Sequence, residues 1–353
     1  NQYEYLDNYQ TFDTTADDTT RVRENAWFES WGIWSSGKAK VGPVRLQASG
    51  GWYRKDGGRP GPINQPSEFA TVRMERSDGQ LQALFPAQLS LELASTRVEQ
   101  FLFDPENEVS FMGDNRSLST DWTGRFKWSP DLYFSSSSEN LLSRVSLLVG
   151  VERRNQWHRQ WYSENEDPRR NRRTDSAFAS LNFALMNDRL QIIPTWRYQN
   201  NTDDFPPIPP MPWIPEEEGV ENIRHDVSPS LGLVWEISRD TWFLEAHAGR
   251  SVRVPTRVEL FGHRGGIDGN RSLSPEELLA ADVAVIWNPS ERISNRLTFF
   301  RAETDQTIVF LQNSAASSKA RNIGATTNQG MEWEGNFVLP VQLHLQANAT
   351  FQN

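Results

Sequence analysis

The chain has 353 residues, a formal charge of -10 and no cysteine. The absence of thiols excludes disulfide staples, thiolate metal sites and cysteine nucleophiles. Net acidity argues against a nucleic-acid partner, and no apolar run approaches the ~20 residues a membrane helix needs. Length alone favours about two soluble domains at ~150 residues each, a count that the residue pattern disputes.

In chain order, Asn1-Gln2-Tyr3-Glu4 has neither a basic head nor an apolar core, so no secretory leader is expected there. Asp7, Asp13, Asp17 and Asp18 are acidic but lack calcium-loop spacing and read as solvated. Gly32-Ile33-Trp34-Ser35-Ser36-Gly37-Lys38-Ala39 approximates a phosphate loop. It lacks the Ser/Thr that holds magnesium, and Val41-Gly42-Pro43 follows where a helix should start, so it reads as a strand turn.

From there the dominant signal has a period of two. Val145, Leu147, Val149 and Val151 lie opposite Arg144, Ser146 and Glu152. Ala177, Ala179, Leu181, Phe183 and Leu185 lie opposite Ser176, Ser180 and Asn182. Leu231, Leu233, Trp235 and Ile237 oppose Ser230, Gly232 and Glu236, and Trp242, Leu244, Ala246 and Ala248 oppose Glu245 and His247. At the end, Val341, Leu343, Leu345, Ala347, Ala349 and Phe351 alternate with Gln342, His344, Gln346 and Asn348. Strand side chains alternate faces, so each segment has one greasy face and one wet face, and the chain is all-β.

Short turns are expected at 77–80, 187–189, 238–240, 288–291 and 338–340, and long polar connections at 55–67, 104–119, 153–175, 200–227, 252–274 and 305–325. That alternation of loop lengths is the habit of an antiparallel up-and-down transmembrane β-barrel, whose lipid face alone must be apolar. About fifteen strands are expected. Trp27, Trp31, Trp34, Trp52, Trp122, Trp128, Trp196, Trp235, Trp242 and Trp287 fall in or at the ends of strands, where interfacial girdles lie.

Two of the long connections carry binding chemistry. In 153–173, arginines are interleaved with Trp157, Trp161 and Tyr162. Three roles fit: holding an anionic aromatic ligand such as a ferric siderophore, contacting lipopolysaccharide phosphates, or lying solvated. The second, Phe205-Pro206-Pro207-Ile208-Pro209-Pro210-Met211-Pro212-Trp213-Ile214-Pro215, is a stiff apolar finger, either a spacer or a substrate clamp. Trp157, Arg159, Trp161, Tyr162 and Trp213 are therefore the candidate substrate-binding residues.

From Gly249 onward the sequence is more specific. Gly249-Arg250-Ser251-Val252-Arg253-Val254-Pro255-Thr256-Arg257-Val258-Glu259-Leu260-Phe261-Gly262 is followed by Gly269-Asn270-Arg271-Ser272-Leu273-Ser274-Pro275-Glu276. Arg321-Asn322-Ile323-Gly324-Ala325 and Gly330-Met331-Glu332-Trp333-Glu334 come next. These motifs, in this order, resemble those of TonB-dependent outer-membrane receptors, with Arg271 where proline is usual. The candidate motif residues are Arg253, Pro255, Glu259, Leu260, Asn270, Leu273, Pro275, Glu276, Asn322, Gly330 and Glu332, all read as structural. Glu259, Glu276 and Glu277 are expected to hold strands in register through Arg250, Arg253 and Arg257.

The resemblance implies a barrel of roughly 22 strands around a plug. It further implies energy from the inner-membrane TonB complex and residence in the bacterial outer membrane among lipid and lipopolysaccharide. Residues 1–353 then form a partial barrel domain, truncated at both ends, of an importer for a ferric siderophore, cobalamin or glycan. The rival is a secreted all-β carbohydrate-binding or hydrolytic protein. Residue chemistry favours no catalysis, cofactor or metal: the five histidines lack ligand spacing, and no Gly-x-Ser-x-Gly elbow occurs.

Overall fold

The computed structural model describes residues 4–7, 19–22, 25–59, 69–108, 113–133, 142–162, 165–207, 218–263, 267–313, 317–340 and 343–353. Fourteen antiparallel strands follow one another in chain order across one continuous sheet. They are β1 Phe28–Val41, β2 Val44–Gly58, β3 Thr71–Phe85, β4 Leu89–Phe103 and β5 Asn115–Trp128. Next come β6 Leu142–Tyr162, β7 Arg170–Leu185, β8 Leu190–Phe205, β9 Val220–Ser238 and β10 Trp242–Arg253. The last four are β11 Glu276–Ser290, β12 Ile293–Asp305, β13 Thr326–Leu339 and β14 Leu343–Gln352. Strand lengths differ widely, from 21 residues in β6 to 12 in β10 and 10 in β14. The path is open, with no pairing between β1 and β14 among the described residues.

Register decides what each face is. Phe351 pairs with Met331, Met331 with Phe299, Phe299 with Val283 and Val283 with Ala246. The line continues through Leu233, Ile192, Phe183 and Val145. Farther along, Val151, Phe126, Leu91, Ala83, Leu46 and Ala39 carry it to β1. An apolar ribbon thus crosses all fourteen strands without a slip that would turn it inside out. Its large side chains are open to the surroundings (Phe351 is 73% exposed and Phe299 51%). A sandwich would bury this face against a second sheet, whereas a barrel wall turns it to lipid.

The opposite face is wet. Arg125 donates to Glu152 through Nε at 2.6 Å and to Glu92 through Nη1 at 3.4 Å, and Arg197 donates to Glu152 at 3.4 Å, linking β4 through β8. Arg296 pairs with Glu245 at 2.7 Å. Leu343, Leu345, Ala347, Ala349 and Phe351 share the apolar face, and His344, Gln346 and Asn348 the wet one; Val341 and Gln342 lie outside the described residues.

Aromatic residues bracket the ribbon. Trp128, Trp235, Trp242 and Trp287 stand on the apolar face near the short turns, Trp242 and Trp287 stacked at 5.7 Å. Trp31 and Trp52 meet edge-on at 4.4 Å toward the long loops. Trp34 departs from the girdle expectation: it pairs with Gly51 on the wet face.

Several boundaries need correction. Ser77–Gln80 is not a turn but the middle of β3, hydrogen-bonded on both edges to β2 and β4. Asp78 there is held by Arg76 at 2.7 Å and Thr96 at 2.8 Å, so pairing overrides a turn-prone Asp-Gly step. The real turn is Pro86–Gln88, with Ala87 and Gln88 at positive φ. Gly32–Ala39 is likewise strand interior, and the chain reverses at Gly42, φ +59°. Much of the expected connections at 153–175 and 200–227 is strand: β6 runs on to Tyr162, β7 starts at Arg170, β8 runs on to Phe205 and β9 starts at Val220. Those residues lack a continuous apolar face, because strand beyond the lipid needs none, which made them look like loop.

Candidate functional site

The family-like motifs build one structure on the long-loop side. The chain leaves β10 at Arg253 and enters α1, Arg257–Phe261. Thr256 caps it: Glu259 N donates to Thr256 Oγ1 at 3.3 Å, while Thr256 N donates to Glu259 Oε2 at 2.6 Å. This reciprocal box satisfies two orphan backbone donors. Gly262 ends the helix at φ +77°, where a Cβ would lie 2.6 Å from the Ile267 carbonyl oxygen, so only glycine fits.

Polar motif residues then staple two loops together. Asn270 N donates to Glu259 O at 2.9 Å and its side chain to Ala320 O at 2.8 Å. Asn322 donates to Ser274 O at 3.0 Å and Gln306 O at 2.7 Å, and accepts from Ser274 N at 2.9 Å. Ile308 N donates to Glu276 Oε1 at 2.6 Å. Beneath these bonds Phe205, Leu260, Phe261, Leu273, Ile308 and Ala320 form a small buried core. The described residues of 254–275 and 306–325 are thereby one plate.

Arg253 fixes the plate to the strand ends, reaching Glu276 at 2.5 Å and Glu259 at 3.1 Å. Arg250 pairs with Glu277 at 2.8 Å. Arg257 does not join these carboxylates. It crosses to the wall, meeting Asp121 at 3.0 Å and donating to Trp157 O at 3.3 Å. Burial holds its guanidinium pKa below the ordinary arginine value. Gly330 and Glu332 sit apart from the plate, on the wet face of β13.

The plate rests on the wet face of β6–β8. Gln156, His158, Gln160, Arg170, Arg172, Thr174 and Asp203 are all buried there. Gln160 Nε2 donates to Gly262 O at 3.3 Å, Arg170 Nη1 to Phe261 O at 3.3 Å and Arg172 Nη1 to Pro255 O at 2.6 Å. His158 lies 3.0 Å from Gln160 Nε2 and 2.9 Å from Ser119 Oγ. With Nε2 accepting from the amide, Nδ1 carries the proton and donates to the serine. Between β6 and β7, burial raises the Asp167 carboxyl above the usual range, opposed by Arg170.

The sequence-derived binding candidates fall elsewhere. Trp157, Arg159 and Trp161 lie on strand β6, in alternation with Gln156, His158 and Gln160, so they share the face of Val145–Val151. Tyr162 ends the strand opposite Asn115, and Trp213 lies outside the described residues. The wall residues beneath the plate were missed by sequence reasoning. Their signal was the Gln-x-His-x-Gln and Arg-x-Arg alternation, which a loop reading hides.

A family model described as "TonB dependent receptor-like, beta-barrel" matches residues 1–353. No curated protein matches the sequence. Among solved structures, a double mutant of the Serratia marcescens hemophore receptor HasR, in complex with HasA and heme, is similar at TM-score 0.73 and 14% identity, over 92% of this chain and 54% of that one. The copper transporter OprC is similar at 0.71 and 12%, over 94% and 54%. A mutant ferric enterobactin receptor PfeA from Pseudomonas aeruginosa, with enterobactin, gives 0.69 and 15%, over 92% and 52%. The chain spans about half the length of these structures, and at such identities the likeness is one of fold. With a match along its whole length and the motif loops folded into one plate, the chain belongs to the TonB-dependent receptor β-barrel family.

Proposed function

We propose that the chain forms the lipid-facing wall and part of the outer mouth of a bacterial outer-membrane importer. That importer takes up a scarce nutrient too large for porins: a ferric siderophore, cobalamin or glycan. The carrying observation is the ribbon in register on one face of fourteen strands, with a hydrogen-bonding wall on the other. Energy comes from the TonB complex through a plug supplied by other parts of the receptor, as the family membership supports. Heme and enterobactin accompany two of the similar structures, which favours an iron-bearing ligand. Recognition then falls to the wet face beside the plate. Arg154, 46% exposed and paired with Asp121 at 2.8 Å, is the cation placed to meet an anionic ligand.

The test is uptake by cells expressing the full-length receptor, with and without TonB, of ferric enterobactin, heme, cyanocobalamin and maltoheptaose. One of these entering only when TonB is present supports the reading. Uptake that persists without TonB, or entry of none while the receptor is at the surface, overturns it.

A further inference from the structure

The apolar face of β4–β7 changes character beyond the ribbon. Beyond Leu93, Trp122, Val151 and Ala177 guanidinium groups enter it, interleaved with Phe101, Leu118, Trp157 and Trp161. Arg97 and Arg116 clamp Glu99 between them, the arginine side chains 55% and 44% exposed and the carboxylate 11%. Arg116 is also stacked between rings, 5.1 Å from the Phe101 centroid and 4.9 Å from that of Trp161. Arg159 lies 5.7 Å from the Trp161 centroid and pairs with Glu166 at 2.9 Å. Arg153 and Arg173 share Asp175, and Arg169 covers Trp157 at 4.9 Å. Six arginines against three carboxylates leave the patch at +3, in a chain whose net charge is -10.

We infer that this outer-wall patch is a docking surface for a phosphorylated glycolipid of the outer leaflet; the inference rests on the reading of the chain as a membrane wall. Two features select that partner. First, Glu99 and Asp175 lie deeper than the arginines around them, with aromatic rings beside Arg116, Arg159 and Arg169 so that little freedom is lost when phosphate arrives. Second, the cations stand at more than one depth. Arg153 is two residues beyond Val151, about 5 Å above the ribbon at ~3.3 Å per residue and a tilt of roughly 40°. Arg116 is six residues beyond Trp122, about 15 Å above it by the same measure. A phospholipid has its phosphate at one level near the acyl chains, whereas a phosphorylated saccharide head carries anions through that whole depth. Continuity with the ribbon lets one molecule lay its acyl chains on Leu93 and Val151 and its head on the arginines.

The test compares the full-length receptor with an Arg97→Gln, Arg116→Gln, Arg159→Gln variant. A second variant, Arg301→Gln, removes an exposed arginine of the same face that lies outside the patch. Native mass spectrometry measures retention of lipopolysaccharide with a phosphorylated core oligosaccharide, its dephosphorylated form and phosphatidylglycerol. Expected are a roughly tenfold loss of the phosphorylated lipopolysaccharide in the triple variant, none in Arg301→Gln, and equally weak dephosphorylated lipopolysaccharide in all three proteins. Unchanged retention in the triple variant overturns the site, and phosphatidylglycerol held as tightly as the phosphorylated lipopolysaccharide overturns the glycolipid assignment. Heat-modifiable migration and nutrient uptake, scored in parallel, report separately on the barrel and on import. If the triple variant does not fold, Arg116→Lys, which keeps charge but loses the stacked plane, must still weaken retention.

Discussion

Arg172 and Asp203 are joined at two points, Nε to Oδ1 at 2.5 Å and Nη2 to Oδ2 at 2.9 Å, with side chains 5% and 1% exposed. The same guanidinium holds the Pro255 carbonyl, so this pair ties the plate to the wall. Removing one partner leaves a buried charge unpaired, which costs about 3–5 kcal/mol. Asp203→Ala should therefore loosen the plate by that amount, seen as faster amide exchange in residues 256–261. The double replacement Arg172→Met, Asp203→Leu should cost clearly less. Equal losses from both would mean that the pair does not carry the attachment.

Thr256→Ala removes one half of the capping box and should cost about 1 kcal/mol of local helix stability, while Thr256→Ser retains the acceptor and stays near wild type. Glu259→Ala should cost more, because it also releases Arg253. The ranking Ser, then Ala, then Glu259→Ala in amide exchange of α1 is the outcome to check, and any other order rejects this account of the cap.

Depth within the ribbon predicts the cost of a misplaced charge. Val283 lies midway between Leu279 and Trp287 on the apolar face of β11, whereas Leu345 is three residues into β14 from its short turn. Val283→Arg should hinder assembly by ~2–4 kcal/mol, Leu345→Arg by ~0–1 kcal/mol, and His344→Arg on the wet face by nothing measurable. Folding yield of the full-length protein into vesicles measures all three. A Leu345→Arg cost equal to that of Val283→Arg would disprove the depth ordering.

Asp167 predicts a pH dependence. Its folded pKa is raised, chiefly by burial, so the folded state binds the proton more tightly than the unfolded chain. The stabilisation is complete below the ordinary carboxylate value of about 4 and is lost as pH rises through the higher folded value. Amide exchange in residues 165–170, corrected for its intrinsic pH dependence, should accelerate from pH 4 to pH 7. Asp167→Asn should flatten that profile, and an unchanged slope in the variant counts against the burial argument.

Faces were legible in the sequence wherever lipid demanded apolar side chains. Val145–Val151, Leu231–Ile237 and Trp242–Ala248 stand as their alternation implied. Strand ends beyond the lipid were not legible, because polar residues there are free on both faces; Gln156–Gln160 is strand yet reads as loop. Asp78-Gly79 shows the complementary failure, a local turn preference overruled by two paired neighbours. The plate was visible as motif residues but not as an object. Asn322 and Ser274 are far apart in the chain, and only the fold brings the amide to that backbone.

The unequal strands have a consequence for how a ligand arrives. The nine-residue difference between β6 and β10 corresponds to ~30 Å along the strand, and to about 20 Å of height at barrel tilt. The rim is therefore slanted, tall at β6 and low at β10, where the plate leans inward. On the proposed reading as an importer wall, a molecule drifting parallel to the cell surface would meet a high edge from the β6 side and a low one from the β10 side, giving capture a preferred compass direction in the plane of the membrane. Neighbouring proteins crowded against the low rim should slow uptake far more than the same neighbours against the tall one.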